Sequence, residues 1–319
     1  MTSANVDVLG WCTNLVEEKT MAFKLAAHNW MRPEPLEITL DRLSRLGYEG
    51  LEIMAEPTRY DPAEVRPLLQ KHGIQCWGGV SIMLASRDLI HGDKYIRMGS
   101  IEYIKESLTL VKELGGEVFT LVPSEVGKVV AMSDPEIEWS WAVEGLKRIA
   151  DHARSLGVKI ALEPLNRFET NFLNRHDQAL VLADHVGEDV GVCLDAFHIN
   201  IEEADPIQAI RDTGARLFNF HIADTNRRAP GEGHWDWTLL LQTLADVGYD
   251  GYLTTEFVVP MDRSPLSGDR EDAGTEASAE ELKFIRDHGS DLMSDREYSI
   301  HFENCIKHIR ACEPAGVGA

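Results

Sequence analysis

Residues 156–163, LGVKIALE, join the end of an amphipathic stretch to a short apolar run that finishes on a carboxylate. Gly157 stands where the C-terminus of a helix needs a residue in the left-handed conformation. The run that follows is too short and too apolar for anything but a buried strand. The stretch therefore predicts a unit of helix, glycine and strand, with an acidic residue at the end of the strand.

The same unit recurs along most of the chain. Besides VKIALE at 158–163 and a first strand FKLAA at 23–27, the apolar runs are GLEIM at 50–54, IQCWGGV at 74–80, EVFTLV at 117–122, VGVCLD at 190–195, RLFNFHI at 216–222 and GYLTTE at 251–256. Eight strands that alternate with helical stretches must be parallel, and eight such units close into a (β/α)8 barrel, or TIM barrel. A doubly wound open sheet is the alternative, but no G-x-G-x-x-G or Walker A pattern is present, which also predicts no nucleotide cofactor.

The predicted fold is of the α/β class, with one barrel domain over residues 1–319. The barrel strands lie within about 22–258, and the final helix covers 295–310. An N-terminal extension of about twenty residues precedes the first strand, and a polar, acidic insertion at 260–295 precedes the final helix. Because a segment that follows strand eight starts on the catalytic face, the insertion is either a solvated linker or a lid or partner-docking segment.

Composition and charge exclude several classes of protein. The chain has 31 Lys and Arg against 53 Asp and Glu, a net charge of −22 that repels nucleic acids. The five cysteines are scattered without a Cys-x-x-Cys pair, which favours a reducing compartment. No run of about 18 apolar residues and no signal peptide are found, so we expect a cytoplasmic protein without membrane association.

Four consecutive strand ends carry residues that bind metals. They are separated by 32, 26 and 35 residues, about one strand-helix unit each, which places them around one side of the barrel mouth. These residues are Glu163, Asp195, His221 and Glu256. Three clustered carboxylates repel one another unless a cation lies between them, and three oxygens with one imidazole suit Mn²⁺, Mg²⁺ or Co²⁺. One acidic residue at a strand end is often only a helix cap, but four successive metal-binding residues indicate a site.

The loops that follow these strands are also polar. His198 comes three residues after the second proposed ligand, and Arg227 is a candidate hydrogen-bonding clamp for substrate oxygens. Arg167 and Arg228 are explained equally well as partners of nearby carboxylates, so they stay outside the predicted site.

Four of these segments together resemble the ketose 3-epimerases of the xylose-isomerase-like superfamily of sugar isomerases and epimerases. They are EPLNRFE at 163–169, DAFH at 195–198, HIADTNRRAPGEG at 221–233 and GYDGYLTTE at 248–256. The resemblance implies Mn²⁺ as the usual metal, bound by the four ligands named above. It also implies substrate contacts from Glu169, His198 and Arg227.

The activity expected from this resemblance is the removal of a proton next to a sugar carbonyl, through an enediolate. Glu163 and Glu256 are the expected acid and base, and the expected reaction is C3 epimerisation of a non-phosphorylated ketose. One alternative is β-eliminating cleavage of a 3-oxo-glycoside, as in C-glycoside deglycosidases that work with a small partner subunit. A second is a barrel that binds sugar and metal without turnover. The expected partners are a sugar and either further copies of the chain, in a homo-oligomer, or a small subunit, in a hetero-oligomer.

Overall fold

Eight parallel strands pair in the order of the chain and close between the last and the first. The computed structural model describes residues 23–84, 87–258 and 293–314. The strands are β1 (Lys24–His28), β2 (Gly50–Met54), β3 (Gln75–Val80), β4 (Val118–Leu121), β5 (Lys159–Leu162), β6 (Val190–Asp195), β7 (Leu217–Ile222) and β8 (Tyr252–Thr255). The predicted (β/α)8 barrel is therefore confirmed.

Helices surround the barrel and connect its strands. Those in the described residues are α1 (Leu36–Leu46), α2 (Pro62–His72), α3 (Lys94–Glu113), α4 (Pro135–Leu156), α5 (His176–Val186), α6 (Ala196–Glu202), α7 (Pro206–Thr213), α8 (Trp237–Asp246) and α9 (Asp295–Cys312). In α1, Leu36, Leu40 and Leu43 recur at helical spacing and are buried. None of the helices described has the length and apolarity to cross a lipid bilayer.

Glycines end several helices in the way that the sequence indicates, with one exception. Gly157 ends α4 in the left-handed conformation, with φ 67°, and its backbone N–H donates to a carbonyl of the last helical turn. The recurring unit predicts the same for Gly187 after α5, but its φ is 165°. Gly187 is therefore extended, and the prediction of a left-handed residue there is wrong.

Two register irregularities interrupt the regular pairing of the barrel. One lies between Leu51 and Glu52 of β2, opposite Trp77 in β3, and the other between Val192 and Cys193 of β6, opposite Phe218 in β7. The extra residues, Trp77 on β3 and Phe218 on β7, change which face the following side chains occupy. Both irregularities lie in strands that supply polar side chains to the barrel interior.

Helix α9 is fixed to the start of the barrel by a buried ionic network. Arg42 of α1 makes a bidentate ion pair with Glu34, reaches Asp295 at the start of α9 and stacks over the ring of Tyr298. Helix α9, Asp295–Cys312, lies where the sequence places the final helix, at 295–310. The predicted N-terminal extension, and the insertion before Met293, lie outside the described residues.

Candidate active site

The four predicted ligands converge at the C-terminal ends of their strands. Their ligand atoms all lie within 4.8 Å of one another. Glu163 and Glu256 directly follow β5 and β8, Asp195 ends β6, and His221 lies one residue before the end of β7. All four are buried, with Asp195 and His221 fully so. The structure therefore brings together, at one point, residues that are up to 93 positions apart in the sequence.

The atoms that face one another in this cluster lack hydrogen-bond donors. His221 Nδ1 lies 3.3 Å from Glu163 Oε1 and 2.5 Å from Glu256 Oε2. Four buried atoms of the cluster make no hydrogen bond: Glu163 Oε1, Glu256 Oε2, His221 Nδ1 and Asp195 Oδ2. Buried polar atoms are rarely left in this state, and three carboxylates with one imidazole are a suitable donor set for a hard to borderline divalent cation. The residues present thus fit a metal ion.

The cluster retains protons when no cation is bound. Burial, and after it the charge of Glu256, raises the pKa of Asp195 to about 7. Burial also raises the pKa of Glu163, against the opposing effect of His221. For Glu256 burial acts in the same direction, but His221 and His28 hold its pKa well below the usual range. Burial lowers the pKa of His221, but the charges of Cys193, Glu52, Glu256 and Glu163 outweigh it and raise this pKa well above its usual range.

His198 is predicted to contact substrate, and its protonation can be read from its neighbours. The backbone N–H and the side-chain amide of Asn166 lie 3.2 and 2.9 Å from its Nδ1. A backbone N–H only donates, so Nδ1 accepts and the ring proton is on Nε2. Burial lowers the pKa of His198, which favours this neutral form. Nε2 makes no hydrogen bond, and His198 lines the cavity, so one N–H donor is available to a ligand.

Arg227 and Glu169, the other predicted substrate contacts, pair with each other. Arg227 Nη1 donates to Glu169 Oε1 at 2.6 Å, its guanidinium lies over the ring of Phe197, and its Nε makes no hydrogen bond. The backbone of Arg227 has φ 61°, a conformation that costs a residue with a side chain about 1–2 kcal/mol. Its N–H bonds to Asp224 O and its carbonyl accepts from Val258 N, which hold the strained residue in place.

The Asp224 carboxylate organises the loop that carries this arginine. Its Oδ1 accepts from the backbone N–H of Thr225 and of Trp235, and its Oδ2 accepts from Gly231 N and Trp237 Nε1. These bonds lower the pKa of Asp224, although burial opposes them. One buried carboxylate therefore fixes the whole loop between β7 and α8.

The two arginines that the sequence left outside the site lie apart from it. Arg167 makes a bidentate contact with Glu202 and is exposed. Arg228 lies 3.9 Å from Glu232 and is also exposed. Both arginines therefore lie beside carboxylates, as the sequence suggested.

The cavity beside the cluster has two unlike walls. The polar wall comes from the ends of β5–β8 and consists of Glu163, Glu169, His198, Arg227 and Glu256. The apolar wall comes from β3, β4 and the loops that follow them, and consists of Val80, Ile82, Met83, Val122 and Val126. An apolar wall excludes water, and electrostatic interactions in the site are stronger as a result.

A larger cavity of about 1120 Å³ opens at the opposite end of the barrel. Lys24, Trp77, Lys159, Phe218 and Tyr252 are among its lining residues, and none of the four proposed ligands is. In barrels of this kind the chemistry lies at the C-terminal ends of the strands. We therefore assign the site to the smaller cavity, despite the greater volume of the other.

Three polar residues at the site were missed by the sequence reading. His28, at the end of β1, has Nε2 3.2 Å from Glu256 Oε2, and Asn166 orients His198. Glu52 lies beneath the cluster, where its carboxylate contacts His221 Nε2. A signal was present for two of them, because His28 directly follows the apolar run FKLAA and Glu52 is an acidic residue inside the apolar run GLEIM.

Comparison with known proteins identifies the family. Residues 40–288 match the model of the family described as xylose isomerase-like TIM barrel. The chain is 31% identical to the D-psicose 3-epimerase of Agrobacterium fabrum over 68% of this chain and 77% of that protein. It is 30% identical to the D-psicose 3-epimerase of Ruminiclostridium cellulolyticum over 84% and 92% of the two chains.

Solved structures give the same fold. The D-psicose 3-epimerase of Clostridium cellulolyticum H10, determined with D-tagatose, superimposes with a TM-score of 0.77 over 91% of this chain and 100% of that one, at 24% identity. The chain therefore belongs to the xylose isomerase-like TIM barrel family, as a member similar to ketose 3-epimerases.

Proposed function

We propose that this protein is a metal-dependent ketose 3-epimerase that acts on a non-phosphorylated sugar. The observation that carries the proposal is the convergence of Glu163, Asp195, His221 and Glu256, because it combines a metal-binding donor set with two glutamates. The names of the curated relatives, D-psicose and L-ribulose 3-epimerases, support the same reaction.

The four converging residues would hold the metal, and we propose Mn²⁺, the ion that the resemblance to ketose 3-epimerases implies. The same oxygen and imidazole donors can also bind Mg²⁺ or Co²⁺. When bound, such an ion polarises the sugar carbonyl as a Lewis acid and stabilises the negative charge of an enediolate.

Glu163 and Glu256 would move the proton at C3. Inversion of a carbon through a planar enediolate requires a base on one face and an acid on the other. The surroundings of the two glutamates shift their pKa values in opposite directions, as an acid and a base require. The pKa of Glu163 is raised and that of Glu256 is lowered. We propose Glu256 as the base in one direction and Glu163 as the base in the other.

Three further side chains would bind and orient the sugar. His198 offers its Nε2–H to a substrate oxygen, and Arg227 offers its Nε–H while its Nη1 stays paired with Glu169. Arg227 is the one cationic side chain among the described residues that line the cavity. A single arginine that is already paired is a poor partner for a phosphate dianion, which supports a free sugar as the substrate.

Deuterium incorporation at C3 in D2O tests the proposal directly. The purified protein would be treated with a chelator, reloaded with Mn²⁺, Co²⁺ or Mg²⁺, and incubated with D-fructose, D-psicose, D-tagatose and L-ribulose. We expect deuterium at C3 together with the C3 epimer, loss of both after chelation, and recovery with metal. Full activity with less than about a tenth of an equivalent of metal would refute the metal-dependent mechanism.

The same assay separates the alternatives drawn from the sequence. Release of the aglycone from a 3-oxo-glycoside, without deuterium exchange on free ketoses, would assign the protein to β-elimination. Binding of sugar and metal without exchange would leave a non-catalytic barrel. Assembly as a homo-oligomer, or with a small subunit, stays a prediction that sedimentation of the purified protein would check.

A further inference from the structure

Glu52 is a carboxylate in the barrel interior that the proposed reaction does not use. It lies in the middle of β2 and is 0% exposed. A buried carboxylate is costly unless hydrogen bonds or charges compensate it, so its partners indicate what it does.

Three side chains from two other strands contact the Glu52 carboxylate. Thr120 of β4 donates to Oε1 at 2.6 Å, and the amide Nδ2 of Asn219 in β7 donates to Oε2 at 2.8 Å. His221 Nε2 lies 3.3 and 3.2 Å from the two oxygens. Glu52 therefore touches the ring nitrogen of His221 that faces away from the metal ligands.

The orientation of the Asn219 amide decides which of these groups donate. Its Oδ1 accepts from Trp77 Nε1 and from the backbone N–H of Phe220, so the other end is the NH₂ group. That group donates one hydrogen to Glu52 and the other to Thr120 Oγ1, at 2.9 Å. Both amide hydrogens are thus committed to acceptors closer than His221 Nε2, which lies 3.2 Å away.

These contacts determine which nitrogen of the His221 ring carries a proton. The oxygens of an ionised carboxylate only accept, so His221 Nε2, which lies 3.3 and 3.2 Å from the two Glu52 oxygens, is itself the N–H that donates to them. When the ring is neutral, its lone pair is then on Nδ1, the nitrogen that faces Glu163 and Glu256. A carboxylate behind a ligating histidine both selects the tautomer and increases the basicity of the ligating nitrogen.

The irregular pairing of the barrel accounts for the meeting of these residues. The shift at Leu51/Glu52 places Glu52 level with Gly78, and the shift at Val192/Cys193 places Asn219 level with Cys193. The ring of Phe218, the extra residue on β7, occupies space that Gly191 leaves, because a Cβ there would lie 2.3 Å from it. Asn219 and His221, two positions apart, then point to the same side of the strand.

We propose that Glu52 is a positioning residue that holds His221 with its proton on Nε2 and its Nδ1 directed at the metal site. The proposal rests on the proposed function for the identity of that site. The contact between Glu52 and His221 is nevertheless measurable without metal and without substrate.

The test compares Glu52→Gln with Glu56→Gln as a matched control. Glu56 is also buried just beyond β2, but it pairs with Arg87 rather than with His221. Affinity for Mn²⁺ would be measured by calorimetry, and the Nε2–H proton of His221 by ¹⁵N-edited NMR in the metal-free and the Mg²⁺-loaded proteins. We expect Glu52→Gln to weaken Mn²⁺ binding by about 10- to 100-fold. We also expect it to shift the Nε2–H resonance and speed its exchange with water, while Glu56→Gln leaves both properties unchanged.

Unchanged Mn²⁺ affinity and an unchanged Nε2–H signal in a folded Glu52→Gln variant would overturn the proposal. If that variant does not fold, the wild-type spectrum decides, since an unprotonated Nε2 in the Mg²⁺-loaded protein contradicts the inference. If the wild type binds no metal, the proposed function fails, while the Nε2–H signal of the metal-free protein still tests the role of Glu52.

Discussion

The two walls of the cavity differ in what their strands contribute. The polar wall, from β5–β8, brings ionisable groups, four of which have a buried atom that makes no hydrogen bond, whereas the apolar wall, from β3 and β4, brings aliphatic side chains. Both walls stand on parallel strands of four or six residues, so the barrel itself does not distinguish them. In the proposed function, the polar side of the mouth performs the chemistry, and the apolar side shapes the cavity and excludes water from it.

The largest expected effect comes from removing proton transfer on the polar wall. Glu163→Gln and Glu256→Gln should each fold normally and lose about 10²- to 10⁴-fold in kcat, because an amide cannot exchange a proton. Deuterium exchange at C3 measures the loss. Glu202→Gln, which changes a carboxylate outside the cavity that pairs with Arg167, is the control. Near-normal exchange in either of the two cavity variants would contradict the acid and base pair.

A smaller effect should follow from removing the substrate contacts of the same wall. His198→Ala and Arg227→Ala each delete a donor whose hydrogen bond to a substrate oxygen is worth about 1.5–3 kcal/mol, so kcat/KM should fall about 10- to 100-fold. Metal content, measured by elemental analysis, should not change. Arg228→Gln is the matched control for the arginine, because Arg228 is exposed beside Glu232. An equal loss of kcat/KM in Arg228→Gln would show that the effect is not specific to Arg227.

Metal affinity should depend on pH through Asp195, which lies in the ligand cluster beside the polar wall. The pKa of Asp195 is raised to about 7 without metal, and the proton must leave before its oxygen can bind a cation. Affinity for Mn²⁺ should therefore fall as pH decreases below about 7, by about tenfold per pH unit for each proton displaced. Calorimetry between pH 5.5 and 8 checks this, and Asp195→Asn should bind more weakly with a flatter dependence. A flat profile in the wild type would contradict the raised pKa.

The smallest effect is expected from the apolar wall. Val122→Thr places a hydroxyl on the cavity surface at nearly constant volume, and it should change KM by less than about tenfold without altering kcat or metal content. Steady-state kinetics on the preferred ketose measures this change, with thermal unfolding as the control for stability. A loss of kcat comparable with that of Glu256→Gln would show that the two walls are not functionally distinct.

The sequence predicts the four proposed ligands well because strand ends are marked by composition. The runs KIAL, VGVCLD, LFNFHI and YLTT are mainly apolar, and Glu163, Asp195, His221 and Glu256 stand out because they lie near or directly after the ends of these runs. The apolar wall carries no such signal, because Val80, Ile82 and Val122 have the same composition as the core. Residues that shape a cavity cannot be separated from residues that fill a core without their coordinates.

The sequence by itself determined the barrel, the order of its strands and the strand ends that carry the chemistry. Periodicity and glycine placement suffice for that, because they follow from local backbone geometry. Only the tertiary structure decided that Glu52 lies behind His221, 169 positions away, and that Asn219 directs its NH₂ group at both Glu52 and Thr120. These contacts depend on closure of the barrel and on two register shifts that change which way side chains point. The alternation of side chains along a single strand predicts neither the closure nor the shifts.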